Sequence, residues 1–122
     1  SRFLTEYFGS GVQHIAFASY DLVATVEQLR RNGVSMLPMP ENYYDDLESR
    51  TDLSAERIAV LRANNIVYDK DEAGEYLQAY TVNTGGLFFF EIVERRDYKG
   101  FGAVNAPIRL AAQARLSGGA MQ

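Results

Sequence analysis

One histidine and one glutamate stand in surroundings that point to chemistry. His14 is the single histidine of the 122-residue chain and lies in the segment Gly11–Ala18, whose alternation is typical of a strand with small residues on the histidine's face. Glu91 lies in the aromatic segment FFFEI near the end of the sequence. A carboxylate among phenylalanine residues costs free energy unless a partner binds it. We therefore hypothesise that His14 and Glu91 converge on a metal ion.

Each of these two residues also has a simpler interpretation. A lone strand histidine is more often a core or surface residue than a ligand, and the partner of Glu91 could equally be an arginine or a backbone N–H. Iron sites that use O₂ commonly combine two histidines with one carboxylate. Because the chain has no second histidine, the missing ligand would come from another segment or a second chain. This sequence can therefore supply at most half of such a site.

Two more positions could line a pocket. Gln78 and Tyr80 alternate onto one face of a predicted strand, and the Gln78 amide could orient a polar substrate group, although a half-exposed strand glutamine is the more common case. Phe101 lies between two glycines. That bend could be a hinge before a closing helix or a plain turn.

Composition limits the classes of function. The chain is 47% hydrophobic and 23% charged, which is ordinary for one globular domain of this length. Its net charge of −4 without a basic stripe argues against nucleic-acid binding. The absence of cysteine excludes disulfides and thiolate metal sites.

The sequence also shows no recognisable targeting signal. No apolar run is long enough to span a membrane, and the N-terminus lacks a signal-peptide pattern, so a cytoplasmic location is the default expectation. The sequence begins with strand-like residues and no methionine. We expect the chain to be one domain from a longer protein.

The elements that must position these residues follow from periodicity and capping. Five strands are predicted, at Gly11–Ala18, Val34–Leu37, Ile66–Tyr68, Glu75–Val82 and Leu87–Glu94. Four helices are predicted, one capped by Asp21 and ending near Asn32, one at Asn42–Arg50, one capped by Ser54 and ending at Asn64, and one at Ala106–Leu116.

This order predicts an α+β fold with a mixed sheet, in which a βαβββ unit carries an insertion after its second strand. Helices would cover one face of the sheet, and the other face would carry His14, Gln78, Tyr80 and Glu91 uncovered. We expect a second copy to close a barrel over that face, which predicts a homo-oligomer.

The chain resembles the last βαβββ module of 4-hydroxyphenylpyruvate dioxygenase, a member of the vicinal oxygen chelate superfamily. The resemblance extends from about Gly11 to Ala114. It rests on several motifs in one order: GVQHIAF, DL-x-x-TV-x-x-LR-x-x-G, P-x-x-YYDDL, NNIVYDKDEAGEYLQAYT, FFFEIVERR and GFGAVN.

The resemblance implies roles for individual residues. His14 and Glu91 take the positions of two Fe(II) ligands, and the third ligand, a histidine, belongs to a preceding module. Gln78 matches a glutamine that lines the pocket near the metal. Tyr80 stands where the family has a phenylalanine that stacks on the substrate ring, and Phe101 matches a phenylalanine that gates the pocket.

The implied activity is a dioxygenase reaction of aromatic amino acid (tyrosine) catabolism. In that reaction a 2-oxo acid is decarboxylated, O₂ is used on iron, and the aromatic ring is hydroxylated with migration of its side chain. Because one iron ligand is absent from this chain, we expect the 122 residues alone to be inactive.

The sequence departs from the family at one pocket position. Ala106 stands where a phenylalanine usually forms the second wall around the substrate ring, and loss of such a stacking partner weakens binding by about 0.5–1.5 kcal/mol beyond lost burial. The ending GFGAVNAPIRLAAQARL is more similar to the dioxygenase-like domain of bacterial fusions with a 3-dehydroshikimate dehydratase. The alternative is therefore a non-catalytic or altered domain of such a bifunctional protein.

Overall fold

The structure, a computed structural model, describes residues 3–8, 12–82, 88–97, 108 and 111–113. Within these ranges the side chains of residues 3–8, 12–15, 88 and 89 are not described. Phe101, which the resemblance predicts to gate the pocket, and Ala106, where the sequence departs from the family, lie outside the described residues.

Five described strands form one open, mixed sheet, so the predicted α+β class with a mixed sheet is confirmed. The spatial order is β1-β2-β5-β4-β3, in which β2 and β5 are parallel and the other neighbours are antiparallel. The strands are β1 Phe3–Phe8, β2 Val12–Ala18, β3 Val67–Lys70, β4 Glu75–Tyr80 and β5 Phe88–Arg96.

Three helices connect β2 to β3: α1 Leu22–Arg31, α2 Glu41–Arg50 and α3 Ala55–Ala63. The predicted caps are confirmed, because Asp21 accepts a hydrogen bond from Ala24 N and Ser54 accepts one from Arg57 N. Beyond them, Ile108 and residues 111–113 are helical, inside the predicted C-terminal helix. In the part of the chain that is described, no helix has the length and apolarity needed to cross a membrane.

The predicted strand Val34–Leu37 is wrong, because this segment makes only an isolated antiparallel bridge between Met36 and Thr81. Prolines at 38 and 40 follow directly, and a proline nitrogen cannot donate to a strand ladder. The α2–α3 insertion therefore precedes the second strand of the βαβββ unit, β3. In addition, the lead-in residues form β1, a fifth strand at the sheet edge.

The helices pack on one face of the sheet, which we call the helix face. Helix α1 contacts β4 and β5 there, and Leu77, Ala79 and Ile92 of those strands are buried. Tyr43 and Tyr44 of α2 are buried in the core, and their hydroxyls donate to Tyr68 O and Ile66 O. Burial raises the pKa of both phenols, so they remain neutral donors.

The opposite face, which we call the site face, is not as uncovered as predicted. Gln78, Tyr80 and Glu91 are 4%, 1% and 5% exposed in this chain alone. Nearer the strand ends the same face is more open, since Ala18 and Arg95 are exposed. The site face is therefore already closed around its polar residues, and open beside them.

Candidate functional site

A buried polar cluster of three side chains occupies the site face. The Gln78 amide nitrogen lies 2.5 Å from Glu91 Oε2 and 3.0 Å from Tyr80 Oη. The amide nitrogen, which is the donor end of the glutamine side chain, faces Glu91. Gln78 thus donates to the carboxylate and to the phenol with its two N–H groups.

Strand register brings the three residues together. In the antiparallel pair β4–β5, Tyr80 lies opposite Glu91 and Gln78 lies opposite Val93. Residues two apart in a strand share a face, so Gln78 and Tyr80 form adjacent positions beside Glu91. The alternating pattern of this segment was therefore a valid signal, and the structure brings these three predicted site residues into contact.

The position of His14 is defined by the backbone of β2. Its Cα partner in parallel β5 is Phe89, and the next same-face residue, Ala16, is the partner of Glu91. Position 14 is thus one diagonal step from Glu91 on the site face, a Cα separation of about 8 Å for neighbouring strands. The side chain of His14 lies outside the described part of the structure.

The donor chemistry of this face fits part of a metal site. A buried carboxylate, with a histidine position on the same face, supplies two of the three donors of a two-histidine, one-carboxylate iron site. Among the described residues no group of three histidine, cysteine, aspartate or glutamate side chains could hold a metal ion. These residues therefore fit an iron ion only as part of a site, and the third donor would come from elsewhere.

A run of charged residues at a strand end, such as Glu94–Arg96, is most simply interpreted as solvated, but Glu94 is 3% exposed on the helix face. Its Oε1 accepts a hydrogen bond of 2.7 Å from Leu22 N at the start of α1, and its Oε2 pairs with Arg96. A negative charge at a helix N-terminus is favourable. Sequence pattern could have suggested this role, because Glu94 alternates onto the face opposite Glu91.

A second polar group on the helix face was not anticipated. Arg57 of α3 makes two hydrogen bonds to the Glu75 carboxylate, at 2.7 and 2.9 Å, and the Tyr68 hydroxyl donates to it at 2.6 Å. Chiefly through the Arg57 hydrogen bonds, the pKa of Glu75 is lowered to about 2. These residues line an open surface cavity of about 920 Å³ on the face of the sheet opposite the Gln78–Tyr80–Glu91 cluster.

Curated proteins similar to this chain carry two kinds of name. The 3-dehydroshikimate dehydratase of Pseudomonas aeruginosa is 46% identical over 121 residues, which cover 98% of this chain and 19% of the dehydratase. The probable 4-hydroxyphenylpyruvate dioxygenase 2 of Aspergillus fumigatus is 44% identical over 110 residues, which cover 85% of this chain and 27% of that protein. The chain therefore spans about a fifth to under a third of the length of these relatives.

Solved structures are similar in the same way. A fusion of a xylose isomerase-like TIM barrel with a 4-hydroxyphenylpyruvate dioxygenase superposes with a TM-score of 0.80 and 42% identity, covering 84% of this chain and 17% of that chain. A mutant of 4-hydroxymandelate synthase from Streptomyces coelicolor superposes with a TM-score of 0.76 and 35% identity, covering 85% and 30%.

A scan against known protein families matches none of them. The similarity to individual proteins nevertheless covers most of this chain, in both sequence and fold. This chain is therefore similar to part of 4-hydroxyphenylpyruvate dioxygenases and to part of 3-dehydroshikimate dehydratases, and its fold is that of a vicinal oxygen chelate module.

Proposed function

We propose that this chain is the C-terminal metal-binding module of an Fe(II)-dependent, 4-hydroxyphenylpyruvate dioxygenase-like domain in a longer protein. The observation that carries the proposal is the buried cluster of Gln78, Tyr80 and Glu91, on the face where strand register places position 14. A buried carboxylate beside a histidine position is costly for a purely structural sheet and useful for a metal site.

His14 and Glu91 would hold the iron, which when bound supplies the activation of O₂ and of a 2-oxo acid substrate. Gln78 orients the carboxylate of Glu91 through its amide. The ring of Tyr80 forms a wall of the pocket, and Phe101 would gate it. A substrate of this class contains an aromatic ring and a 2-oxo acid group, as in tyrosine catabolism.

The third ligand would be a histidine from a preceding module. Without it, the two donors of this chain bind iron too weakly for turnover, so the isolated module is inactive as an oxygenase. The more open end of the site face, near Ala18 and Arg95, is where a second module or a second copy of the chain would complete the barrel. We propose a homo-oligomer in the cytoplasm, without nucleic-acid or membrane partners.

The test is oxygen consumption by the full-length protein with Fe(II) and 4-hydroxyphenylpyruvate. We expect O₂ uptake matched by release of CO₂. A Glu91→Gln variant that folds like wild type should show no uptake. Equal uptake by wild type and Glu91→Gln would refute the metal assignment. The 122-residue chain, assayed alone, should show none.

A second candidate is a domain with altered or no oxygenase activity in a bifunctional dehydratase. It is favoured by one observation: the match to the P. aeruginosa dehydratase covers 98% of this chain, whereas the match to the dioxygenase of the same organism covers 85% at 39% identity. Metal binding without O₂ uptake would favour this candidate. An Ala106→Phe variant that gains turnover would instead indicate an oxygenase with a modified pocket.

A further inference from the structure

We propose that Tyr80 is a positioning residue that acts through Gln78 to fix the carboxylate of Glu91, and this rests on the proposed metal site. Tyr80 itself need not touch the metal. Its hydroxyl accepts one of the two hydrogens of the Gln78 amide nitrogen, and Glu91 Oε2 accepts the other. The phenol therefore determines how the amide presents itself to the carboxylate.

The geometry of an amide explains why two acceptors matter. The NH₂ group of glutamine is planar, and its two hydrogens point in fixed directions about 120° apart, so two acceptors define the rotation of the amide plane. With a single acceptor, the amide could turn about its terminal torsion, which has a broad energy profile. Tyr80 and Glu91, at 3.0 and 2.5 Å from the same nitrogen, together hold the plane in one orientation.

The backbone holds the three residues in register. Tyr80 and Glu91 are direct partners across β4 and β5, and Gln78 is the next same-face residue of β4. All three side chains are buried, so water competes little for these hydrogen bonds. Loss of the phenol hydroxyl would leave a buried N–H without this acceptor, and the amide would have to reorient.

Outer-shell partners of metal ligands typically change metal affinity 10- to 100-fold when they are removed. Gln78 contacts the ligand directly, and Tyr80 acts one hydrogen bond further away. We therefore expect a Gln78→Met variant to lie in that range and Tyr80→Phe near its lower end, about 10-fold.

The chain offers a matched control. Tyr76 is a buried tyrosine of β4 on the same face, two residues before Gln78, and Arg95 lies over its ring at 4.5 Å. The same chemical change, Tyr76→Phe, removes a hydroxyl from the same strand outside the cluster. A merely structural effect of losing a strand hydroxyl should be similar in both variants.

The first readout is anaerobic titration of the full-length protein with Co(II), followed by its visible absorption. We expect Tyr80→Phe to bind Co(II) about 10-fold more weakly with altered absorption bands, and Tyr76→Phe to match wild type. Wild-type affinity and absorption in Tyr80→Phe would overturn the proposal, whether or not Gln78→Met weakens binding. Wild-type affinity in Glu91→Gln would instead overturn the metal site itself.

The second readout needs no metal and no third ligand. In the metal-free 122-residue chain, the two side-chain amide protons of Gln78 can be followed by nitrogen-edited NMR. We expect Tyr80→Phe to shift one of them and to accelerate its exchange with water, while Tyr76→Phe leaves both unchanged. Unchanged Gln78 protons in Tyr80→Phe would overturn the positioning role even if the metal site stands.

Discussion

Two carboxylates of β5 lie three residues apart on opposite faces of the sheet, and both are buried. Glu94, on the helix face, accepts Leu22 N at 2.7 Å and pairs with the guanidinium of Arg96. Glu91, on the site face, accepts a hydrogen bond from the neutral amide of Gln78. The first carboxylate is bound to a cation and a helix N-terminus, whereas the Gln78 amide that donates to Glu91 is uncharged.

This difference separates a structural carboxylate from a candidate ligand. The contacts of Glu94 join β5 to the start of α1, so its charge stabilises the packing of a helix. The hydrogen bond between Gln78 and Glu91 joins two neighbouring strands that are already paired through their backbones. We infer that Glu94 is retained for folding and Glu91 for binding.

The largest effect on stability is expected at Glu94. A Glu94→Gln variant keeps an acceptor for Leu22 N but loses the charged bond to Arg96 and the favourable charge at the N-terminus of α1. We expect the free energy of unfolding to fall by about 2–3 kcal/mol. Urea denaturation of the metal-free chain measures it, and an unchanged midpoint would contradict the structural role of Glu94.

The helix-face network should also produce an acid-sensitive stability. Glu75 has a folded pKa of about 2, below its unfolded value of about 4.3. Its contribution is therefore present above about pH 4.3 and is lost as the pH falls through about 2.

Because Glu75 is partly exposed, we expect this contribution to be about 2 kcal/mol. The measurement compares the change in unfolding free energy between about pH 5 and pH 2 for wild type and Glu75→Gln. The variant should lose less stability on acidification. Parallel curves for the two proteins would show that the Arg57–Glu75 pair does not stabilise the fold.

A smaller effect on stability is expected from Asp21, the exposed N-cap residue of α1. Asp21 accepts from Ala24 N at 3.1 Å, and Asp21→Ala should lower the free energy of unfolding by about 1 kcal/mol. Asp21→Asn, which retains a side-chain acceptor, is the matched control and should be closer to wild type. An Asp21→Ala effect larger than that of Glu94→Gln would reverse the ranking of the two carboxylates at α1.

The smallest stability effect is expected at Glu91. In the metal-free chain, Glu91→Gln removes a buried charge and keeps an oxygen that can accept from Gln78, so stability should change by less than about 1 kcal/mol. Thermal or urea denaturation beside Glu94→Gln makes the comparison direct. A loss as large as that of Glu94→Gln would identify Glu91 as a structural residue.

Alternation along the strands was sufficient to predict the site face. Gln78, Tyr80 and Glu91 were placed together from period-two spacing, and the β4–β5 register confirms it. Spacing could not predict their contacts, because the two hydrogen bonds of the Gln78 amide depend on which strands are neighbours and in which register. The helix caps at Asp21 and Ser54 were predictable because their hydrogen bonds are local.

The features that could not be predicted depend on contacts between residues that are distant in sequence. Val34–Leu37 has strand-like residues, but the ladder position next to β4 is taken by β3, and only Met36 makes a bridge. The hydrogen bond of Glu94 could not be predicted from spacing, because its partner, Leu22 N, is distant in sequence. Burial of the site face by the chain itself could not be derived from elements counted along the sequence.

The most direct test of the metal assignment is a titration of the full-length protein with Fe(II) under anaerobic conditions, comparing wild type, Glu91→Gln and Glu94→Gln. Removal of a direct ligand should cost more than removal of an outer-shell partner, so Glu91→Gln should bind more than about 100-fold more weakly. Glu94→Gln should bind like wild type wherever it is folded. Wild-type iron affinity in Glu91→Gln would contradict the assignment of Glu91 as a metal ligand.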